Sequence, residues 1–246
     1  METYGGFARV YDMFMDDADY GMWHEYINSI CTRAGVAPEL VLDLGCGTGS
    51  FDILLADAGL EVIGVDSSEE MLAVARDKAG ERDILFLAQD IREFELYGTV
   101  DLILSLLDTL NYITEEEELL RVFRLAANYL NPGGLFIFDM NTEYKFREIL
   151  GENTFADVRD DAAYIWENTY FEEERINEFY MNFFIETDSG AYERIEECHH
   201  ERAYSPERIK ELVEESGLSL LDMYDAYTFD PPRAESERIF FVARKG

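Results

Sequence analysis

Three aspartates follow strand-like runs of the chain and could each hold a different part of one ligand. Asp43 comes directly before a glycine-rich turn, Asp66 ends the next apolar run, and Asp90 follows a third run, 84–88. A carboxylate in front of the turn would repel a pyrophosphate but could hold an ammonium group. A carboxylate about twenty residues beyond the first glycine can accept hydrogen bonds from both hydroxyls of a ribose. The spacing therefore favours a ligand of the nucleoside type with a cationic group.

The glycine turn lies between a predicted strand and a predicted helix. Val41–Leu44 is a short apolar run of the β type, and Phe51, Leu54 and Leu55 recur at helical spacing beyond the glycines. A strand, a glycine turn and a helix place a ligand at the carboxyl end of a buried strand. Glycine is needed there because the backbone must turn sharply and come into contact with the ligand.

The spacing of the glycines distinguishes between two kinds of nucleotide ligand. A dinucleotide site has glycines at the first, third and sixth positions. Here Gly45, Gly47 and Gly49 give G-x-G-x-G, and the sixth position is Ser50. With Asp43 in front of the turn, the pattern favours a ligand that has an amino-acid head, a ribose and an adenine but no phosphate. S-adenosylmethionine is such a ligand.

These motifs resemble those of class I S-adenosylmethionine-dependent methyltransferases. The resemblance rests on Val-Leu-Asp-Leu-Gly-Cys-Gly-Thr-Gly at 41–49, on Asp66 after the second strand, and on Gln-Asp-Ile at 89–91. It covers residues 36–140 strongly and the last forty or so weakly. The opening segment, 4–15, is also similar to that of the bacterial YqeM-like small methyltransferases. The resemblance implies the fold, the cofactor and methyl transfer.

The predicted cofactor ligands come from several loops. Asp90 could accept a hydrogen bond from the adenine amino group while the amide of Ile91 donates to the ring. Met71 could lie against the adenine, although a core methionine would have the same spacing. By the resemblance, Tyr11 contacts the amino-acid moiety. The predicted set is Tyr11, Asp43, Gly45, Cys46, Gly47, Gly49, Asp66, Ser67, Met71, Asp90, Ile91, Ser105 and Leu106.

Composition limits the class of protein. A net charge of −33 and the absence of a block rich in Lys and Arg disfavour electrostatic binding of nucleic acid, although solubility or adaptation to salt explains the charge equally well. No apolar run approaches twenty residues and no basic-then-apolar leader opens the chain, so we expect neither a membrane span nor a secretion signal. Three cysteines (Cys31, Cys46 and Cys198) without C-x-x-C spacing argue against a zinc site and for a cytoplasmic location.

The order of elements predicts an α/β fold with a doubly wound, Rossmann-like sheet of seven mostly parallel strands. The 246 residues suffice for one large domain of this kind with an appendage. We expect residues 36–145 and 204–246 to form the cofactor-binding domain, 1–35 to form a helical lid, and 146–203 to form an insertion.

The insertion has the pattern of an antiparallel β meander. The segments 162–171, 175–187 and 191–203 are rich in aromatic and β-branched residues, and Glu-rich or Asp-Ser-Gly turns separate them. Such a meander could cover the substrate, form a homodimer contact, or do both. Its aromatic residues could line a pocket, or could simply bury the meander against the main domain.

The first 35 residues are dense in aromatic side chains. Tyr20, Trp23 and Ile27 follow a helical stripe that Gly35 ends. One interpretation is a lid that excludes water from the methyl transfer. The alternative is an amphipathic helix that packs on the sheet.

The loop after the fourth strand faces the transferable methyl group in a doubly wound sheet. It has neither the Asn/Asp-Pro-Pro-Tyr pattern nor the Pro-Cys pair of enzymes that methylate nucleic-acid bases. Asp108 and Asn111 could line the substrate side or cap the next helix, for which Thr114 and Glu117 are spaced as a capping box. The predicted substrate-side residues are Tyr4, Tyr20, Trp23, Asp108, Asn111 and Tyr112.

Two adjacent histidines, His199 and His200, are the candidate catalytic bases. They lie on the last strand of the insertion and point to opposite faces. One of them could remove a proton from an acceptor hydroxyl or ammonium, although a partly buried strand histidine would look the same.

We therefore expect an enzyme that moves a methyl group from S-adenosylmethionine to a nitrogen or oxygen of a small molecule. An RNA or protein acceptor stays open. The sulfonium carries its own activation, and no metal need be invoked because the sequence shows no convincingly spaced cluster of acids and Asn around Asp108. A nicotinamide-dependent oxidoreductase would share the sheet, but the missing sixth-position glycine and Asp43 argue against it. A non-catalytic module that only holds the cofactor is a further alternative. An aminopropyl transferase that uses the decarboxylated cofactor shares the fold, but its glycine turn is usually more acidic than the turn in this chain.

Overall fold

Two β-sheets organise the chain, which a computed structural model describes at residue 8 and over residues 10–16, 18–187 and 189–246. One sheet has seven strands and the other has four. No helix within these ranges is both long enough and apolar enough to span a membrane.

Helices lie between most of the strands in the first 141 residues, although β3 and β4 follow each other with only turns between them, and β6 to β9 are four consecutive strands. The strands are β1 (Leu40–Leu44), β2 (Glu61–Asp66), β3 (Ile84–Ala88), β4 (Val100–Ser105), β5 (Leu130–Asn141), β6 (Thr154–Val158), β7 (Ala162–Phe171), β8 (Ile176–Glu186), β9 (Tyr192–Arg202), β10 (Leu218–Asp225) and β11 (Arg238–Lys245). The α-helices are α1 (Tyr11–Phe14), α2 (Tyr20–Ala34), α3 (Ser50–Asp57), α4 (Glu69–Ala79), α5 (Glu116–Tyr129) and α6 (Pro206–Glu215). A 3₁₀ turn (Thr109–Tyr112) follows β4, and a π-helical turn (Lys145–Leu150) follows β5.

The large sheet is doubly wound, as predicted. Its strand order is β10-β11-β5-β4-β1-β2-β3, and β1 to β5 pair in parallel. Only β11 runs against its neighbours, β5 and β10. Because β1 lies beside β4, the chain winds outward in both directions from this pair. The carboxyl ends of β1 and β4 therefore adjoin, and open α/β sheets bind ligands at such a point.

Both faces of the large sheet are covered. On β5, Phe136 and Phe138 belong to the core under α5 and α6, whereas Leu135 and Ile137 belong to the core under α2 and α3. All four side chains are fully buried. A parallel strand covered on both faces should be almost continuously apolar, which is the pattern that the sequence shows here.

The inserted sheet contains the three predicted strands and one more. β7 has the predicted bounds, and β8 and β9 lie inside theirs. The missed strand, β6, is a short edge strand that pairs with β7, and none of its side chains is fully buried. Apolar periodicity is weak where no residue must be buried, so the sequence carried little signal for it.

The N-terminal segment is not one continuous helix. α1 is a single turn, and α2 begins only at Tyr20, where Asp19 accepts a hydrogen bond from the amide of Met22 at 2.9 Å. The helix ends at the left-handed Gly35, as predicted.

The predicted cap of α5 is wrong, whereas α6 has a side-chain cap. Thr114 does not cap α5, because the helix begins one residue later at N-cap Glu115 and that residue makes no side-chain capping bond. Ser205 does cap α6: its hydroxyl accepts from the amide of Arg208 at 3.2 Å, and Pro206 follows it at the first helical position.

We expect Ser205→Ala to lower the free energy of unfolding by about 1 kcal/mol, since it leaves an amide of α6 without its acceptor. Thr114→Ala, a matched hydroxyl deletion in front of α5, should change it by less than about 0.5 kcal/mol. Urea unfolding of the two variants measures both. Equal losses would contradict the assignment of the caps.

Candidate active site

The glycine turn between β1 and α3 is tied to β2 and to the loop after β4. The amides of Gly45 and Cys46 donate to the carbonyl of Val65 at 2.8 and 3.1 Å. Gly45 has φ +81°, and a Cβ there would lie 2.4 Å from the Thr109 side chain. Gly47 has φ +55°, and a Cβ there would meet nothing within 4 Å. Gly45 is therefore needed for close packing, whereas Gly47 presents its backbone to open space.

A cavity of about 610 Å³ opens beside this turn and extends to the inserted sheet. The predicted cofactor residues that line it are Tyr11, Asp43, Gly45, Cys46, Gly47, Asp66, Ser67, Met71, Asp90, Ile91 and Leu106. The predicted substrate-side and catalytic residues that line it are Tyr20, Trp23, Asp108, Tyr112 and His199. The structure thus gathers most of the candidates into one space.

Two predicted cofactor residues do not line the cavity. Ser105 is fully buried, and its hydroxyl donates to the carbonyl of Leu44 at 3.0 Å, which joins β4 to β1. Gly49 lies behind the turn as the N-cap of α3, where a Cβ would lie 2.9 Å from Phe86. Both residues support the turn rather than form its surface.

Two predicted substrate-side or catalytic residues are also displaced from the cavity. Asn111 is fully buried, and its amide donates to the carbonyls of Asn141 and Arg202 at 3.1 and 2.9 Å. It therefore fastens β5 to β9. His200 is exposed on the outer face of the inserted sheet, where its Nε2 lies 3.1 Å from Glu178. Tyr4 falls outside the described residues.

The structure also adds polar residues that the sequence did not single out. They are Arg92, Asn141, Lys145, Glu201 and Arg238, all of which line the cavity. Glu201 lies two residues beyond His199 on the same strand and therefore on the same face, a spacing that could have been noticed. Only some of the aromatic residues of the meander line the cavity. Trp166 and Phe179 do, whereas Phe183 lies in a separate core cluster.

Asp43, at the end of β1, interacts with a second acid that the sequence did not reveal. Asp52 on α3 is fully buried, and its carboxyl lies against that of Asp43 and the thiol of Cys46. Burial raises the pKa of Asp43 to about 7, and burial together with Asp43 raises the pKa of Asp52 well above its usual range. Two adjacent buried carboxyls cannot both ionise, so the pair retains a proton.

Asp66 is held by backbone amides. Its Oδ2 accepts from the amide of Gly47 at 2.9 Å, and its Oδ1 accepts from the amide of Ser68 at 2.8 Å. Burial raises the pKa of Asp66, although these amides oppose the shift. Each carboxylate oxygen retains acceptor capacity beyond one amide, so the side chain can also receive the two hydroxyls of a ribose.

Asp90 is paired with Arg92, which sequence reasoning missed. Both carboxylate oxygens of Asp90 accept from the Arg92 guanidinium, at 2.5–3.0 Å. The guanidinium holds the pKa of Asp90 below its usual range. Arg92 also donates to Glu118 at 3.0 Å, so it keeps one partner if an adenine amino group takes an oxygen of Asp90.

The loop after β4 has an uncommon backbone that a buried acid stabilises. Leu107 and Asp108 have φ of +58° and +55°, in the left-handed region that side chains disfavour. Asp139 on β5 accepts from both of their amides, at 3.1 and 2.8 Å. Arg238 on β11 donates to Asp139 and to Asp108, at 2.6 and 2.5 Å. These contacts offset the strain and fix Asp108 at the cavity.

A third set of charges lies between β5 and β9. Glu201 is buried, and the amide of Asn141 donates to it at 3.3 Å. Burial and the nearby Asp108 raise the pKa of Glu201 well above its usual range, so Glu201 retains a proton that it shares with Asp108. The ammonium of Lys145 donates to Asn141 Oδ1 at 2.9 Å, and burial followed by Arg238 lowers the pKa of Lys145.

His199 lines the cavity from β9 of the inserted sheet. It is 3% exposed, and its Nε2 lies 3.0 Å from Oε2 of Glu197, a buried acid on the same face of β9. Its ring meets the ring of Tyr112 edge-on, with 5.8 Å between centroids. The contacts with Glu197 and Tyr112 therefore fix the orientation of the imidazole at the cavity.

Comparisons with known proteins place the chain in a family. A model described as a methyltransferase domain matches residues 41–134. YqeM of Bacillus subtilis (strain 168), named as a methyltransferase, is 36% identical over 244 residues, covering 98% of this chain and 97% of that protein. The chain belongs to the YqeM-like S-adenosylmethionine-dependent methyltransferases.

Two further proteins agree with this assignment. A methyltransferase of Geobacillus sp. (strain WCH70) is 34% identical over 246 residues, covering 99% of this chain and 100% of that protein. The crystal structure of an S-adenosylmethionine-dependent methyltransferase from Clostridium acetobutylicum ATCC 824 superposes with a TM-score of 0.88 at 34% identity and covers 99% of both chains. The predicted family, fold class and enzyme activity are thereby confirmed.

S-adenosyl-L-methionine is the cofactor of this methyltransferase. The donor set fits it: the cavity holds acids for an ammonium group and a ribose, and the open backbone at Gly47 leaves room for close contact. Family membership decides against a nicotinamide-dependent oxidoreductase and against a non-catalytic cofactor module.

Asp52→Asn should stabilise the unliganded methyltransferase at alkaline pH. An acid with a raised folded-state pKa loses stability as pH rises from its unfolded pKa through its folded pKa. The neutral isostere removes that loss, so the free energy of unfolding should rise by about 1–3 kcal/mol near pH 8 and by little near pH 4. Urea unfolding at both pH values measures the difference.

The matched control is Asp77→Asn, an exposed acid on α4. It should change the free energy of unfolding by less than about 0.5 kcal/mol at either pH. An Asp52→Asn effect of the same size at both pH values would contradict the raised pKa of the Asp43–Asp52 pair.

Proposed function

We propose that this methyltransferase acts on a nitrogen or oxygen of a small molecule that occupies the inner end of the cavity. The space of about 610 Å³ is of the size that small-molecule sites commonly have. Beyond the predicted cofactor residues it continues to Tyr112, His199 and Glu201, with Trp166 and Phe179 as apolar wall. This continuation, an apolar wall with a few polar groups, is the observation that carries the proposal.

The cofactor is assigned by three acids along the edge of the sheet. Asp43 receives the ammonium group, Asp66 the ribose hydroxyls, and Asp90 the adenine amino group. An ammonium group beside Asp43 stabilises its ionised form, so binding releases the proton that the Asp43–Asp52 pair retains. Tyr11, half-buried at the cavity, contacts the amino-acid end.

His199 is assigned as the base that takes the acceptor's proton. When bound, the cofactor would supply a sulfonium methyl group. The acceptor's lone pair would bond to the methyl carbon while the carbon–sulfur bond breaks and the thioether leaves. His199 accepts the proton that the acceptor gives up, and Glu197 stabilises the resulting charge and orients the ring. Tyr112 fixes the other side of the imidazole through its edge-on contact.

Solved structures with the same fold support an acceptor of this size. They include the sugar N-methyltransferase KedS8 from Streptoalloteichus sp ATCC 53650, with a TM-score of 0.79 at 19% identity over 96% of this chain and 92% of that chain. Another is CalS10 from Micromonospora echinaspora, an amino pentose methyltransferase, with a TM-score of 0.71 at 20% identity over 94% of this chain and 97% of that chain. Both names describe nitrogen or amino-sugar chemistry on small molecules, whereas the net charge of −33 disfavours RNA.

The N-terminal turn is assigned as part of a lid. Asp12 on α1 accepts from Thr48 and Lys78 at 2.6 and 2.5 Å, which joins α1 to the glycine turn and to α4. Phe14 meets Tyr164 of the inserted sheet edge-on, with 5.0 Å between ring centroids. α1 therefore bridges the cofactor turn and the insertion, an arrangement that would shield the transfer from water.

The division into a lid (1–35), a cofactor domain (36–145 and 204–246) and an insertion (146–203) is part of the same proposal. The insertion supplies the acceptor wall. Its outer side exposes large apolar residues, among them Ile165 and Phe171, each about two-fifths exposed. We retain the expectation that this side forms a homodimer contact.

His199→Gln should lower kcat about a hundredfold or more, because the variant retains the shape of the side chain but cannot take the proton. The measurement is formation of S-adenosylhomocysteine, with a labelled methyl group, from a metabolite extract and then from the acceptor isolated from it. The loss should be in kcat rather than in KM for the cofactor.

His24→Gln, at a histidine of α2 that does not line the cavity, is the control and should retain the wild-type rate. An unchanged rate in His199→Gln would overturn the role of His199. Methyl transfer to RNA or protein in the extract, with none to small molecules, would overturn the proposed acceptor class.

Asp66→Asn should weaken binding of S-adenosylhomocysteine about tenfold to a hundredfold, since an amide cannot accept from both ribose hydroxyls as a carboxylate does. Isothermal titration calorimetry measures the dissociation constant, and Asp77→Asn is again the matched control. Equal affinities of wild type and Asp66→Asn would contradict the position assigned to the ribose.

A further inference from the structure

The two faces of β9 carry different sets of polar residues. Glu197, His199 and Glu201 are buried, and the latter two line the cavity. Cys198 and His200 point to the outer face, because successive strand residues alternate. The outer pair is therefore separated by the sheet from the site of methyl transfer.

A third donor lies beside this pair on the neighbouring strand. Glu178 of β8 is directly opposite His200 in the antiparallel register. Its Oε2 lies 3.1 Å from Nε2 of His200, and the ligand atoms of Glu178, Cys198 and His200 all lie within 4.8 Å of one another. In the described part of the chain, no other three His, Cys, Asp or Glu residues are grouped in this way.

We propose that Glu178, Cys198 and His200 bind one divalent transition-metal ion of the zinc class. In tetrahedral zinc sites the metal lies about 2.3 Å from sulfur and about 2.0–2.2 Å from nitrogen and oxygen, which separates the ligand atoms by about 3.5 Å. The ligand atoms of the three residues lie within 4.8 Å of one another, close to this separation.

The donor set selects the class of metal. A thiolate and an imidazole favour zinc and its neighbours, whereas magnesium and calcium prefer oxygen ligands alone. The three residues leave a fourth position, and solvent reaches it because the side chains of His200 and Glu178 are 50% and 34% exposed. The net charge of −33 raises the concentration of cations at the surface.

The metal would join two strands that also form the acceptor wall. Phe179 and Met181 of β8 and His199 of β9 line the cavity from the other face of the same strand pair. A metal ion that links Glu178 to Cys198 and His200 would hold β8 and β9 in register, on the face of the sheet opposite these cavity residues. The site does not depend on the proposed methyl acceptor.

Linear spacing predicted no zinc site, because the cysteines lack C-x-x-C neighbours. The three ligands become adjacent only through the register between β8 and β9. The Cys-x-His pair at 198–200 was visible in the sequence, but the position of Glu178 opposite it was not.

The test is titration of the purified full-length chain, first stripped of metal with a chelator, with Co²⁺ and then with Zn²⁺. We expect one equivalent of Co²⁺ to give a thiolate-to-cobalt charge-transfer band and the intense visible bands of tetrahedral cobalt, and Zn²⁺ to abolish both. Cys198→Ser should remove the charge-transfer band, and Glu178→Gln should weaken binding about tenfold or more.

Cys31→Ser, a buried cysteine of α2, is the matched control and should leave the titration unchanged. Circular dichroism and binding of S-adenosylhomocysteine confirm that each variant is folded. Zn²⁺ should raise the melting temperature of wild type and of Cys31→Ser but not that of Cys198→Ser.

Three outcomes would overturn the proposal. The first is a charge-transfer band that survives in Cys198→Ser, which would assign the thiolate to another cysteine. The second is cobalt bound without thiolate ligation, as at scattered surface carboxylates. The third is the absence of cobalt binding to the folded wild type.

Discussion

The burial of negative charge at the carboxyl edge of the large sheet is the constraint on which the site depends. Carboxylates are expensive to remove from water unless amides, cations or a shared proton compensate them. The chain uses all three means. Asp66 accepts from backbone amides, Asp139 and Asp108 share Arg238, and the Asp43–Asp52 pair retains a proton.

These means of compensation have different consequences for a ligand. Amides and Arg238 are fixed parts of the fold, so the acids that they hold stay where they are when the cavity fills. A shared proton can leave, so Asp43 can exchange it for a ligand cation. In the proposed complex, Asp66 therefore keeps its amides while it meets the ribose, whereas Asp43 exchanges a proton for the ammonium group.

Arg238 shows how the antiparallel strand serves the parallel sheet. It stands at the start of β11, and its guanidinium reaches Asp139 on β5 and Asp108 after β4. Removing it would leave two buried acids opposed across a loop that already has two left-handed residues. The last strand of the chain therefore determines the shape of a loop formed more than a hundred residues earlier.

Sequence was sufficient where a short pattern dictates the local structure. The G-x-G-x-G turn, Asp66 at the end of β2, and the aromatic run of β7 follow from local spacing. Sequence was insufficient where the deciding contact joins distant segments. Asn111 looked like a substrate residue because its partners, the carbonyls of Asn141 and Arg202, lie 30 and 91 positions away.

The same limit explains the missed acids and the misplaced histidine. Asp52 looked like an ordinary residue in the first turn of a helix, and only the packing of α3 on β1 places it against Asp43. His199 and His200 were equivalent in sequence, since alternation gives two faces but does not say which face meets the main domain. Edge strand β6 buries no side chain fully and so left no apolar pattern to read.

The contacts of α1 with both the glycine turn and the insertion bear on how ligands enter and leave the cavity. Tyr11 and Met15 line the cavity. Asp12 accepts a hydrogen bond from Thr48 in the glycine turn, and Asp16 pairs with Arg159 of the insertion at 3.0 Å. In the proposed lid arrangement, a spent cofactor and a finished product would leave past this same short turn. Detachment of this turn would then free the glycine turn and the insertion together, and cofactor exchange and product release would share one conformational change.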